Sequence, residues 1–132
     1  MTKSSSNKFT LGTRERLKSR KKIQSLFSKG KSLAFSPFRI IYQLQDDVSL
    51  QLGVAVSSRQ FKKAVDRNRI KRLIREAYRL QKNELKNLLI RRDKGLDLFI
   101  IYNGKTLPEY AFVFQKTGEI IQKIIKEIHG LD

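Results

Sequence analysis

The chain contains no cysteine, which excludes disulfides, thiolate metal sites and a cysteine nucleophile together, and is compatible with a reducing compartment. Histidine is nearly absent as well. The one imidazole, His129, stands at the end of the last expected helix, where a cation complements the helix dipole. No carboxylate–histidine set has the spacing of a metal site or an acid–base pair. Asp46 with Asp47, and Asp93 with Asp97, read as turn and strand-edge residues. A stand-alone enzyme would lack its machinery, so no catalytic or metal-ligating residue and no small-molecule substrate are expected. No apolar run approaches the roughly 20 residues of a membrane span, and MTKSSSNKF at the start has no signal-peptide apolar region. A cytoplasmic location away from membranes is therefore expected.

Acids are scarce too. Twelve Asp and Glu face 29 Lys and Arg, a formal charge of +17, which self-repels in the compact state unless a polyanion neutralises it. Nucleic acid is the leading partner class. The excess is focused: residues 1–32 hold ten basic residues and one acidic residue, and residues 59–79 hold nine and two. Focused charge points to binding surfaces, whereas solubilising charge is spread more evenly.

What remains is globular in composition, with 39% hydrophobic residues including eight Phe and four Tyr. A chain of 132 residues is most simply one domain, able to bury roughly two-thirds of its unfolded surface. Residues 1–12 read as a flexible basic tail and 13–132 as the folded domain. Within it, Ile23, Leu26 and Phe27 share one side of a short basic helix that Gly30 stops. The alternation Phe38, Ile40, Tyr42, Leu44 predicts a strand. Asp46 and Asp47 supply a turn, and Val48, Leu50, Leu52, Val54 and Val56 form one face of a second strand, so a hairpin is expected. The other face of that strand narrows to Gly53, Ala55 and Ser57, leaving room for a packed helix or a ligand to come close. A long helix over 66 to about 91 follows. The apolar run LDLFIIY at 96–102 suits a strand buried on both faces, parallel to its predecessor across the helical crossover. A last helix opens near Thr106 and Pro108, carries Phe114, Ile121, Ile124, Ile125 and Ile128, and ends at Gly130. The expected order is α, β, β, α, β, α.

The stretch FKKAVDRNRIKRLIREAYR at 61–79 holds the most information. At roughly 100° per residue, Ile70, Leu73, Ile74 and Ala77 fall in one sector and face a core. Asn68, Arg72, Arg75, Arg79 and Lys82 fall opposite, with Arg67 and Arg69 on the flanks and Lys71 between. Lys and Arg are good helix formers on solvated faces and are commonly balanced by acids four residues away. Here Asp66 and Glu76 cannot balance nine cations between Arg59 and Arg79. Guanidinium groups dominate the ridge, and they suit bidentate phosphate contact and base stacking. Asn68 would bond either a sugar hydroxyl or base edge, or local backbone in the first turn.

RNRIKRLIRE at 67–76, preceded by KKAVD and followed by AYR, closely resembles the signature of the protein component of bacterial ribonuclease P. RERLKSRKKIQSLFSKGKS and the small-residue strand GVAVS also resemble that family, so the likeness spans about residues 14–128. It implies an α+β fold: a single domain with a roughly four-stranded mixed sheet flanked by three helices, in αβ(β)βαβα order. The bracketed extra strand would lie near Phe35, and the βαβ crossover would be left-handed, against the usual rule.

The resemblance also implies a function. The catalyst is an RNA that removes the 5′ leader of precursor tRNA by Mg²⁺-assisted hydrolysis, with Mg²⁺ held mainly by RNA phosphates. The protein would bind the catalytic RNA and guide the single-stranded leader between the first helix and the sheet. Carried onto this chain, the RNA-binding residues are Arg59, Lys62, Lys63, Arg67, Asn68, Arg69, Lys71, Arg72, Arg75 and Arg79. The leader cleft takes Ile23, Phe27, Phe38, Ile41 and Ser57, with Phe27 and Phe38 stacking on unpaired bases or else packing in the core. Two departures are visible. A Lys-Lys pair expected just after the small-residue strand is displaced to Lys62 and Lys63 in SSRQFKK, and Ile23 and Ile41 replace expected aromatics, leaving Tyr42 as a substitute. The runner-up is a ribosomal or other structural RNA-binding protein. A membrane-surface role comes third, since the apolar face of the basic helix is needed for the core.

Overall fold

The structure, a computed structural model, describes residues 15–130; the expected basic tail at 1–12 lies outside them. The elements are α1 (Arg20–Lys29), β1 (Lys31–Phe35), β2 (Phe38–Gln45), β3 (Leu50–Val56), α2 (Ala64–Gln81), α3 (Asn83–Arg92), β4 (Gly95–Tyr102) and α4 (Tyr110–His129). Among the described residues they form one four-stranded mixed sheet with four helices. The strand expected near Phe35 is β1, which pairs antiparallel with β2 from Phe35↔Phe38 outward.

Strand order is β1-β2-β4-β3, so the expected hairpin of 38–44 with 48–56 does not form. β4 lies between β2 and β3, antiparallel to the first and parallel to the second. The reason is the apolarity of β4. Six of its eight residues are buried, and on a sheet edge such a strand would leave a row of backbone donors and acceptors unpaired. At the centre both of its edges are hydrogen-bonded and both of its faces are covered. Asp46 and Asp47 still lie in the connection, but it leads around β4 and not back along β2.

The sheet faces divide by the two-residue period. Phe38, Ile40 and Tyr42 of β2, Leu50, Leu52 and Val56 of β3, and Leu96, Leu98, Ile100 and Tyr102 of β4 form the main core with α2, α3 and α4. Each such side chain contributes roughly 1.5–3 kcal/mol on burial. The opposite face carries a smaller cluster in which Ile41, Phe99 and Ile101 meet Leu17, Ile23 and Leu26 from α1 and the segment before it. Ser19 caps α1 by accepting from the Lys22 N–H at 3.3 Å, and Gly30 ends it with an N–H to the Leu26 carbonyl at 2.8 Å.

The single long helix expected over 66–91 is two helices, which makes four where three were expected. The break is at Lys82. Buried positions 70, 74, 77, 78, 85, 88 and 89 keep a helical period across it, so periodicity does not reveal it. Lys82 falls in that buried stripe, fully enclosed, and its ammonium is paired with the Glu15 carboxylate. It therefore does not belong to the outward ridge. α4 begins at Tyr110, past Thr106 and Pro108. Its buried stripe is Val113, Thr117, Ile120, Ile121, Ile124, Ile125 and Ile128, while Phe114 is exposed.

Candidate nucleic-acid interface

α2 is half core and half cation. Ile70, Ile74, Ala77 and Tyr78 are buried against the sheet and α4. On the other side Asn68, Lys71, Arg72, Arg75 and Arg79 line one cavity of about 560 Å³ together with Glu76 and Arg16. The helical period thus gathers a cationic wall, as the sequence implied, and the tertiary structure adds Arg16 from the segment before α1. No periodicity links Arg16 to α2, so nothing in the sequence pattern could have found it.

Glu76 is the one acid among the described residues of the wall. It takes Arg79 in a two-point grip, Nη2 to Oε2 at 2.5 Å and Nε to Oε1 at 3.0 Å. That hydrogen bonding holds the Glu76 carboxyl below its ordinary value and the Arg79 guanidinium above its own. Arg75 is pushed down, first by burial and then by the charge of Arg16. Two guanidinium groups that repel each other across a concavity favour an anion between them.

The remaining expected RNA-binding residues lie around this wall. Arg59, Lys62, Lys63 and Arg69 are exposed but do not line the cavity. Arg67 turns back to the loop before α2, where Nη1 donates to the carbonyls of Phe61 at 2.7 Å and Lys62 at 2.9 Å. It thereby anchors the SSRQFKK loop to the first turn. Asn68 is exposed and lines the cavity, a placement suited to a ligand contact.

On the α1 face of the sheet, Phe27 is 51% exposed and meets the ring of Phe99 edge-on at a centroid distance of 5.2 Å. Ile23, Ala55, Ser57, Phe99 and Ile101 are half-buried here, and Ile41 is buried beneath α1. Phe38 is not on this face. It is 2% exposed in the main core, against Tyr102 at 5.3 Å, and so cannot line a cleft between α1 and the sheet. Tyr42 is likewise on the core face. Its hydroxyl donates to Glu127 at 3.2 Å, and burial, helped by the Glu127 charge, pushes its pKa up to about 12. The aromatic missed was Phe99, although alternation along LDLFIIY sets it opposite Leu98 and Ile100. Phe99 also answers what approaches Gly53: a Cβ there would lie 2.4 Å from the Phe99 ring. At Gly53, then, the small face of β3 is taken up by a neighbouring side chain.

At the other end of this face stands a polar group. Asp97 is fully buried at the third position of β4, not at a strand edge. It accepts from Gln45 Nε2 at 3.0 Å, while Lys22 Nζ donates to Gln51 at 3.1 Å. Burial raises the Asp97 carboxyl, against the opposing Lys22 charge and Gln45 hydrogen bond. Among the described residues no three His, Cys, Asp or Glu side chains are grouped to hold a metal ion, and no helix is long and apolar enough to cross a membrane.

Comparison with known proteins gives one answer. A family model described as ribonuclease P matches residues 11–125. The ribonuclease P protein component of Bacillus pumilus is 46% identical over 118 residues, covering 86% of this chain and 87% of that protein. That of Porphyromonas gingivalis is 34% identical over 125 residues, covering 92% and 88%. The solved ribonuclease P protein of Thermotoga maritima superposes with a TM-score of 0.66 at 28% identity, covering 83% of this chain and 97% of that one.

Proposed function

The chain belongs to the ribonuclease P protein family and is a subunit of that bacterial tRNA-processing endoribonuclease, and from that premise we propose that it docks the enzyme's catalytic RNA on the outward face of α2. The carrying observation is the cationic concavity of Lys71, Arg72, Arg75 and Arg79, which backs directly onto the helix's core stripe. Phosphodiester oxygens fit a wall of guanidinium groups through charge-assisted, two-point hydrogen bonds. Asn68 would add a sugar or base contact at the rim.

The 5′ leader of precursor tRNA is assigned to the face between α1 and the sheet, where Phe27 and Phe99 offer ring surface to unpaired bases. Ile23, Ile101 and Ser57 would flank it. The cleaving centre is assigned to the RNA, and the protein's part is to hold RNA and leader in register, in the cytoplasm where precursor tRNA is made. Among the described residues no three His, Cys, Asp or Glu side chains are grouped to hold a metal ion, and Mg²⁺ is assigned to RNA phosphates, which supply the hard oxygen ligands it prefers. A ribosomal protein would share the charge but is not favoured by the family matches.

The test mixes the protein with its catalytic RNA and a precursor tRNA at low Mg²⁺. Leader removal and precursor affinity should both rise on adding the protein; no change in either would overturn the reading.

A further inference from the structure

Two anchors bracket Arg16. On its C-terminal side the Leu17 N–H donates to the Leu52 carbonyl at 2.9 Å, and Arg16 forms an isolated parallel bridge with Leu52 on the outer edge of β3. On its N-terminal side the Glu15 carboxylate joins the buried Lys82 ammonium at the break between α2 and α3, and also takes Lys86 Nζ at 3.2 Å. Between the anchors Arg16 is exposed and is held against the α2 wall closely enough for its charge to depress Arg75. The hydroxyl of Tyr78, buried without a hydrogen-bond partner, lies within range of the Glu15 charge, which adds to burial in raising it. An ammonium at Lys82 is costly in an apolar stripe unless a carboxylate meets it, so Lys82 demands Glu15, and Glu15 draws the neighbouring arginine into place.

We infer that Glu15 and Lys82 form a positioning latch that holds Arg16 as the far wall of the RNA site, where it contacts a phosphate of the catalytic RNA opposite Arg75. This rests on the reading of the α2 face as the RNA dock and adds to it a binding residue from outside the helix and a device that sets it. The break in the long helix then has a function, since it falls at the residue that receives the latch.

The experiment compares the full chain with Arg16→Ala, Glu15→Gln/Lys82→Met and the triple variant. The latch variant removes one charge of each sign and leaves no unpaired buried ammonium, so net charge is unchanged. Binding to the catalytic RNA is measured across salt, and amide exchange of Leu17 is followed in the protein alone. Arg16→Ala should weaken binding and lower the salt slope by about 0.7 to 0.9, as expected for one neutralised phosphate. The latch variant should do the same despite its unchanged charge, and the triple variant should lose no more than either. The Leu17 amide should exchange faster in the latch variant than in the parent. An unchanged slope in Arg16→Ala, additive losses in the triple variant, or unaltered Leu17 exchange would each overturn the latch. If the parent chain does not bind the catalytic RNA, the ribonuclease P reading falls instead, and the exchange measurement still decides whether Glu15 and Lys82 hold the segment.

Discussion

The rings of Phe27 and Phe99 meet edge to face, with centroids 5.2 Å apart and planes inclined by 73°. One comes from a helix that rests on the sheet, the other from the central strand beneath it. The pair brings exposed aromatic surface to the cluster that Ile23, Ile41 and Ile101 form on this face.

Removing Phe27 should therefore cost little stability, about 0.5–1.5 kcal/mol for the aromatic pair, because half the ring is already in water. Its effect should fall on the leader. Stacking is worth about 1–3 kcal/mol per base, so Phe27→Ala should weaken holoenzyme binding of leader-bearing precursor by roughly tenfold while binding of mature tRNA stays level. Equal losses for both RNAs would make the ring a packing residue only.

Arg72→Ala with Arg75→Ala should leave the fold intact, since Arg72 is exposed and Arg75 only half-buried. The plot of log affinity against log salt for the catalytic RNA should flatten by about 0.7–0.9 for each phosphate that is no longer neutralised. A slope equal to the parent's would take that part of α2 out of the interface.

Gly53→Ala sets a methyl 2.4 Å from the Phe99 ring. The ring must shift or the strands must part, a cost of about 1–3 kcal/mol for overpacking. Urea denaturation should show an earlier midpoint, together with altered leader affinity because Phe99 is displaced. A parental midpoint would show that the ring yields freely.

Asp97 gives stability a pH signature. Its folded-state pKa is raised above the ordinary 3.8, chiefly by burial. The folded chain then binds this proton more readily than the unfolded chain, so stability falls as pH rises from the ordinary value through the raised one. Above that window the charged, buried carboxylate is a constant liability. Asp97→Asn should thus gain most over the parent near neutral pH, and the gain should vanish as pH falls to the ordinary carboxyl value. Denaturation midpoints of the two proteins at neutral and acid pH check this; a difference that is flat with pH would refute it.

The cationic side of α2 was legible in RNRIKRLIRE because a helical period alone decides which residues share a side. Lys82 was misread because period sets it on the border between the ridge and the buried stripe, and only the arrival of Glu15 shows that its ammonium is buried. Phe38 and Phe99 were both visible as strand aromatics. Which of the two faced α1 depended on which sheet face the helix covered, and alternation along a strand does not carry that.

Composition and period by themselves determined that this chain folds around one core and that its charge gathers at the first segment and on α2, which made an anionic polymer the leading partner class. Those properties are local, set by residue chemistry and backbone repeat. Strand order, the helix break and the meeting of Arg16 with Arg75 were decided only in three dimensions. The most apolar strand took the centre of the sheet to pair both its edges, and a buried lysine took a carboxylate from a segment far away in the chain.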